Sequence, residues 1–272
     1  MKKQRRKKGL MESVGKIIKE TVPQGEQPVS ESLLSAEEVK CRICRDVGYV
    51  HPLINGKPDY SQVVTCQCRR EDMEKQRTAA MLKMCQLPEC SEDWTLEKFE
   101  VGPDVHKAYD SALQLAEDSD EIRWLTLLGD WDRGKTHLLV AICRRWLARG
   151  KPSRYAYVPM LLKQLRGSFE EKGEYDRLFD FFCKVPLLAL DDLGVEKRTP
   201  WVMQELDTIV DYRYANRLPL VITSNLLLEE LPPRIASRVQ REPWCRVIEM
   251  KGSEHRLRRG TNDSSPLLHS DA

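Results

Sequence analysis

No stretch of the chain approaches the ~20 consecutive apolar residues that a membrane-spanning helix needs, and no apolar signal-peptide core follows the basic opening "MKKQRRKK". Without such a signal, the Asn-Asp-Ser at 262–264 carries no weight as a glycosylation acceptor. No internal repeat is visible. Charge of one sign is not in excess either: 44 Lys and Arg stand against 42 Asp and Glu, a net +2. These absences lead to the expectation of a cytoplasmic protein. In that reducing compartment nine cysteines do not make a disulfide framework, so metal binding or burial must account for them.

What is present divides along the chain. A length of 272 residues suggests about two domains, and 32% charged residues make the chain polar. Six of the first eight residues are Lys or Arg, and "KGSEHRLRR" at 251–259 is a second basic cluster. Both are either solvated ends or contacts for nucleic-acid phosphates. Residues 1–40 read as a disordered basic region with a short amphipathic helix at 10–20. Residues 69–84 read as a helix, and "LPECSEDW" (87–94) marks a boundary. From 95 to about 250, strand and helix patterns alternate. Strands are expected at 124–129, 154–158, 185–194, 218–225 and 245–250, and helices at 135–150, 159–169, 200–217 and within 229–242. Continuous apolar strands alternating with helices predict an α/β fold, a parallel sheet covered on both faces.

"GDWDRGKTH" (129–137) follows one of these strands and opens a helix. Gly129, Gly134, Lys135 and Thr136 have the G-x-x-x-x-G-K-[ST] spacing of a phosphate loop. Backbone N–H groups of such a loop point at phosphates, Gly134 permits close approach, Lys135 supplies a point charge, and Thr136 offers a hydroxyl to Mg²⁺. Asp130, Trp131, Asp132, Arg133 and His137 complete the candidate nucleotide-binding stretch. Asp130 and Asp132 set carboxylates in a loop that holds anions. Trp131 either covers the nucleotide or is simply exposed, and His137 is either a participant or a bystander. "LLALDDLG" ends an apolar strand in Asp191 and Asp192, at the carboxyl edge where ligands bind such sheets. Alternation along a strand predicts that the two acids differ in role, Asp191 serving Mg²⁺ and Asp192 orienting a water. Asn225 ends "VITSN" and is expected at the same edge, near that water.

Cys41 and Cys44 in "CRIC", and Cys66 and Cys68 in "CQC", are separated by 21 residues that read as a hairpin. Four thiolates suit tetrahedral Zn²⁺. In so small a segment the metal would supply much of the folding energy. Cys85, Cys90, Cys143, Cys183 and Cys245 are expected to pack instead.

Several ordered motifs, "CRICRDVGYV…VVTCQCRR", "LPECSEDWTLEKFE", "GDWDRGKTHL", "LALDDLGVEKRTPW", "DYRYANRLPLVITSNL" and "RIASRV…KGSEHRLRR", together resemble the DnaC/DnaI-type replicative helicase loaders and their relatives, the IstB-type transposition ATPases, over roughly residues 41–258. The resemblance implies an AAA+ ATPase core with ATP and Mg²⁺. Gly129, Gly134, Lys135 and Thr136 resemble its Walker A loop, Asp191 and Asp192 its Walker B pair, Asn225 its sensor 1, and Arg238 in "IASRV" its arginine finger, acting on a neighbouring subunit. Arg256 falls where the family has a basic residue and is either part of the site or a surface arginine. Position 132 departs from the family, which usually has glycine there. The implied organisation is a disordered region at 1–40, a zinc-binding, helicase-facing module at 41–86, an AAA+ domain at 87–258 and a flexible tail at 259–272. The implied function is ATP-dependent loading of a replicative helicase onto single-stranded DNA, with self-association through the arginine finger. The alternatives are a nucleotide-binding adaptor that does not hydrolyse ATP, and an IstB-like transposition helper.

Overall fold

The computed structural model describes residues 39–251. The basic opening, the helix expected at 10–20, the tail at 259–272 and Arg256 lie outside the described residues, as does the 251–259 cluster beyond Lys251. The chain divides into two compact units, up to Arg70 and from Glu71 onward.

In the first unit, β1 (Tyr49–Val50), β2 (Leu53–Ile54), β3 (Lys57–Pro58) and β4 (Val64–Thr65) form the expected hairpin, with β1 antiparallel to β4 and β2 antiparallel to β3. Asn55 and Gly56 turn the inner pair, both at positive φ (52° and 77°), which a two-residue hairpin turn requires. The only buried residues among those described here are Cys44, Gly48 and Cys66. Ile43, Val47, Leu53, Ile54, Tyr60 and Val63 are exposed.

Helix α1 (Gln67–Cys85) contains the division between the units, and its Met81 and Cys85 are buried in a core cluster of the second unit. That unit continues with α2 (His106–Ala116), β5 (Trp124–Leu128), α3 (Lys135–Ala148), β6 (Ser153–Tyr157), α4 (Val158–Gly167), α5 (Glu174–Lys184), β7 (Leu187–Asp191), α6 (Pro200–Ala215), β8 (Leu220–Ser224), α7 (Pro233–Arg241) and β9 (Cys245–Glu249). All five predicted strands are present. Helices α2 and α5 are additions that the strand–helix reading does not single out. The strands pair in the order β6-β7-β8-β5-β9, every pair parallel. The sheet is the predicted α/β core.

Alternation sorts the strand side chains onto two faces. Leu125, Leu127, Leu187, Ala189 and Val221 pack with α1, α2 and α3. Trp124, Leu128, Leu188, Leu190, Leu220 and Ile222 pack with α4 to α7. α3 buries Leu138, Leu139, Ile142, Cys143, Trp146 and Leu147, the spacing of a helix with one broad apolar face. It ends at Gly150, at φ 69°, whose N–H bonds the Leu147 carbonyl while Lys151 N reaches Trp146 O, as left-handed helix stops do. α6 begins where Thr199 Oγ1 accepts from Val202 N at 3.3 Å and Pro200 takes the first helical position.

Arg213 of α6 is fully buried. Its guanidinium donates to the carbonyls of Phe182, Cys183, Val185, Pro186 and Pro219. One side chain thus satisfies the backbone acceptors where α5 ends and where β7 and β8 begin, a requirement for any buried carbonyl. Cys143, Cys183 and Cys245 are buried as expected, and so is Cys85. Cys90 is exposed and lines a cleft instead. Among the described residues, no helix is long and apolar enough to cross a membrane.

Candidate functional site

β5 leads into the glycine loop, and two backbone constraints shape it. Gly129 sits at φ 132° with the Met250 carbonyl oxygen 2.5 Å from where a Cβ would stand. Gly134 sits at φ 83° with the Phe99 ring 2.7 Å from its would-be Cβ. Asp132 also takes a left-handed conformation, φ 59°, which Asp tolerates better than most residues. Gly134 is the N-cap of α3 and brings no side-chain cap, so the first amides of the helix are left for an anion.

Lys135 Nζ donates to Gly129 O (2.7 Å), Asp130 O (2.6 Å) and Asn225 Oδ1 (2.8 Å). Burial pulls its ammonium below the ordinary lysine range, against the pull of Asp192, Asp130 and Asp191. Asn225 Nδ2 donates to Asp192 Oδ1 at 3.2 Å, so the amide bridges the lysine and the second acid. Burial, then the neighbouring Asp191, holds the Asp192 carboxyl above the usual range. The two acids do differ in surroundings, yet strand alternation is not the reason. Asp192 has left the strand at φ 59°, while Asp191 remains in β7 and is buried. Thr136 Oγ1 donates to Asp191 Oδ1 at 3.0 Å.

Lys135, Thr136, Asp192 and Asn225 line a cleft of about 890 Å³ with Trp94, Phe99 and Trp131. Trp131 is exposed. His137 lines it too, with its ring turned to the Thr95 carbonyl at 2.9 Å and stacked on Trp94. Arg133 Nη2 lies 3.8 Å from Asp130 Oδ2, so the arginine offsets one of the loop's two acids. Arg133 Nε and Nη1 are buried without a hydrogen-bond partner among the described residues. The sequence singles out Trp131, Asp132, Arg133, Gly134, Lys135, Thr136, His137, Asp192 and Asn225, which all line this cleft, and also Gly129, Asp130 and Asp191, which do not. It misses the Phe99 contact, the Met250 carbonyl, and the hydroxyls of Tyr155 and Thr223 on Asp191. Thr223 follows Val221 at the alternate position of β8, so alternation carries a signal for it. Tyr155 has none short of the strand order.

Arg238 lies elsewhere, on α7. Its Nε donates to Asp211 Oδ1 at 2.8 Å and its guanidinium covers the Tyr214 ring at 4.6 Å.

The donor set fits a nucleoside triphosphate with Mg²⁺: glycine-lined amides and a lysine for phosphate, and a hydroxyl beside a carboxylate for a hard cation. In the other unit, the Sγ atoms of Cys41, Cys44, Cys66 and Cys68 all lie within 4.8 Å of one another. Cys41–Cys66 is 3.8 Å and Cys44–Cys68 is 3.4 Å. Zn–S bonds of about 2.3 Å in a tetrahedron put sulfurs roughly 3.8 Å apart, so these thiols fit such an ion. Amide hydrogen bonds from Cys44 and Ile43 pull the Cys41 thiol down to about 7.

A parallel sheet with this loop, acid pair and asparagine at its carboxyl edge defines an AAA+-type P-loop nucleotide-binding protein. The chain belongs to the IstB-like ATP-binding protein family, whose profile matches residues 58–238. It is 27% identical to the replicative helicase loader DnaI of Bacillus subtilis over 198 residues, 68% of this chain and 61% of DnaI. It is 28% identical to the replicative helicase loader DnaC of Escherichia coli (strain K12) over 134 residues, 48% of this chain and 55% of DnaC. The matches thus span between half and two thirds of those loaders. A crystal structure of DnaI superposes with a TM-score of 0.52 at 27% identity, covering 62% of this chain and 94% of that one.

Proposed function

We propose that this protein is an ATPase that loads a replicative ring helicase onto single-stranded DNA. The observation that carries the reading is one chain holding both a complete P-loop site and a thiol module with an apolar exterior (Ile43, Val47, Leu53, Ile54, Tyr60, Val63). Exposed apolar groups in such number suit a protein partner. The relatives named as helicase loaders support helicase as that partner. Residues 41–86 are assigned to the partner-facing module, with Zn²⁺ on Cys41, Cys44, Cys66 and Cys68, and residues 87–258 to the ATPase.

The roles follow from the chemistry. Amides of the 129–136 loop and Lys135 hold the phosphates, Lys135 exchanging its loop carbonyls for phosphate oxygens. Thr136 and Asp191 hold Mg²⁺, which when bound neutralises phosphate charge. Asp192 and Asn225 orient the attacking water. Arg238 of a neighbouring copy stabilises charge on the transferring phosphoryl group, which makes hydrolysis dependent on assembly.

The test is phosphate release by full-length protein and by Asp192→Ala, with helicase and single-stranded DNA present. Wild-type turnover at least about ten-fold above the variant is expected, given the worth of a water-positioning group. Equal background rates in the two would favour a non-hydrolysing adaptor. The resemblance to IstB-type transposition ATPases, with 25% identity to an insertion-sequence ATP-binding protein of Geobacillus stearothermophilus, supports a transposition helper as a second reading. Capture of a transposase rather than a helicase by the full-length protein would support it.

A further inference from the structure

The carboxylate of Asp191 is gripped from two sides by residues outside the sequence motifs. Thr223 Oγ1 donates to Oδ1 at 2.6 Å, and Tyr155 OH donates to Oδ2 at 2.8 Å. The sheet order explains the grip. β7 lies between β6 and β8. Leu187 and Ala189 put Asp191 on the α3 face by alternation, Val221 does the same for Thr223, and Tyr155 packs against that same cluster. Both donors therefore flank the acid on one face, one from each neighbouring strand, and Thr136 at the start of α3 shares Oδ1 with Thr223.

Neither hydroxyl is free to rotate. Thr223 Oγ1 accepts the Asp192 amide at 2.9 Å, which commits its proton to Asp191. Tyr155 is held by a ring packed into the core. Asp191 is only 4% exposed, so water does not replace either donor. A carboxylate held at both oxygens does not turn about its own axis. Its one edge shared with the phosphate loop is the edge at Thr136, 3.0 Å away.

We propose that Tyr155 and Thr223 are positioning residues that lock the Asp191 carboxylate with its Thr136-facing edge presented to the divalent cation of a bound nucleoside triphosphate. The proposal rests on the nucleotide-site reading above. Its consequence is selective. Loop amides and Lys135 hold the phosphates without help from either hydroxyl, so loss of the grip weakens the metal's contribution and leaves the metal-free contribution in place.

The experiment is titration of full-length protein with a fluorescent ATP analogue, in saturating Mg²⁺ and in Mg²⁺-free buffer. The ratio of the two Kd values reads the coupling between metal and nucleotide. Tyr155→Phe is expected to keep the Mg²⁺-free Kd within about two-fold and to lower the ratio about three- to ten-fold, the scale of one typical hydrogen bond. Thr223→Val should behave alike, and Thr223→Ser should restore the ratio. A merely structural role would move both Kd values together and lower the melting temperature. Should Thr223→Val not fold, the near-isosteric Tyr155→Phe carries the test. An unchanged ratio in Tyr155→Phe, with wild type binding normally, overturns the proposal and leaves the nucleotide site standing. Absence of wild-type binding in both buffers overturns the nucleotide-site reading and this proposal with it.

Discussion

At the scale of single residues, the phosphate loop is governed by what stands behind it. Gly129 backs onto the Met250 carbonyl, which is itself fixed because Met250 N bonds Leu128 O at 2.7 Å. Neither backbone can yield cheaply. Gly129→Ala is therefore expected to cost about 1–3 kcal/mol, the range for a forced backbone conformation, and to abolish nucleotide binding. Gly150→Ala is the control: its φ is also positive, at 69°, but nothing lies within 4 Å of the added methyl. Thermal melting should show the larger drop for Gly129→Ala, and a nucleotide titration should show binding retained in Gly150→Ala. The loop's charged residues are accommodated in a similar local way. Asp132 takes the left-handed conformation that a glycine would take at no steric cost, and Arg133 stands beside Asp130.

At the scale of elements, the two units are held by different physics. The second has an apolar core on each face of its sheet and a buried arginine tying five carbonyls. The first has no apolar core among its described residues. Its buried side chains are Cys44 and Cys66, and its short strands leave their apolar groups in water. On the proposed reading, Zn²⁺ on the four thiols would supply that unit's folding energy, apparent values for structural zinc being about 10–16 kcal/mol. A strong zinc chelator should melt residues 41–66 while nucleotide affinity stays within about two-fold of its starting value, since the phosphate-binding elements belong to the other unit, which has its own apolar core. Far-ultraviolet circular dichroism and an ATP-analogue titration on one sample check both halves. Cys44→Ser should reproduce the effect of the chelator without it.

At the scale of the whole molecule, Arg238 is the residue whose proposed role a single chain cannot perform. It is paired with Asp211, as is Arg234 at 2.6 Å, and it lies outside the cleft of its own chain. Turnover per chain should therefore rise with protein concentration. Arg238→Ala should bind ATP with wild-type affinity and lose that rise, by at least about ten-fold, within the known worth of an arginine supplied in trans. Mixing Arg238→Ala with Lys135→Ala should recover part of the turnover, because each copy supplies what the other lacks. A mixture no faster than its components would count against a shared site.

Much of this was legible before any fold was known. The strands of the core show as continuous apolar runs, and the loop, the acid pair and the thiols show as fixed spacings, because each is set by residues within a few positions of one another. Even α2 carries a helical spacing, with Ala108, Ser111, Ala112, Leu115 and Ala116 buried. Its small side chains give a weak hydrophobic signal that is easily passed over. What the sequence by itself determined was thus the parts list: the elements, the chemistry at their ends, and the class of ligand. Only the tertiary structure decided that β6 and β8 flank β7, that Met250 backs Gly129, and that Asp192 turns out of the strand while Asp191 stays gripped within it. Strand order is set by crossovers linking distant segments, and a carboxylate's neighbours across a sheet depend on that order rather than on the residues beside it in the chain.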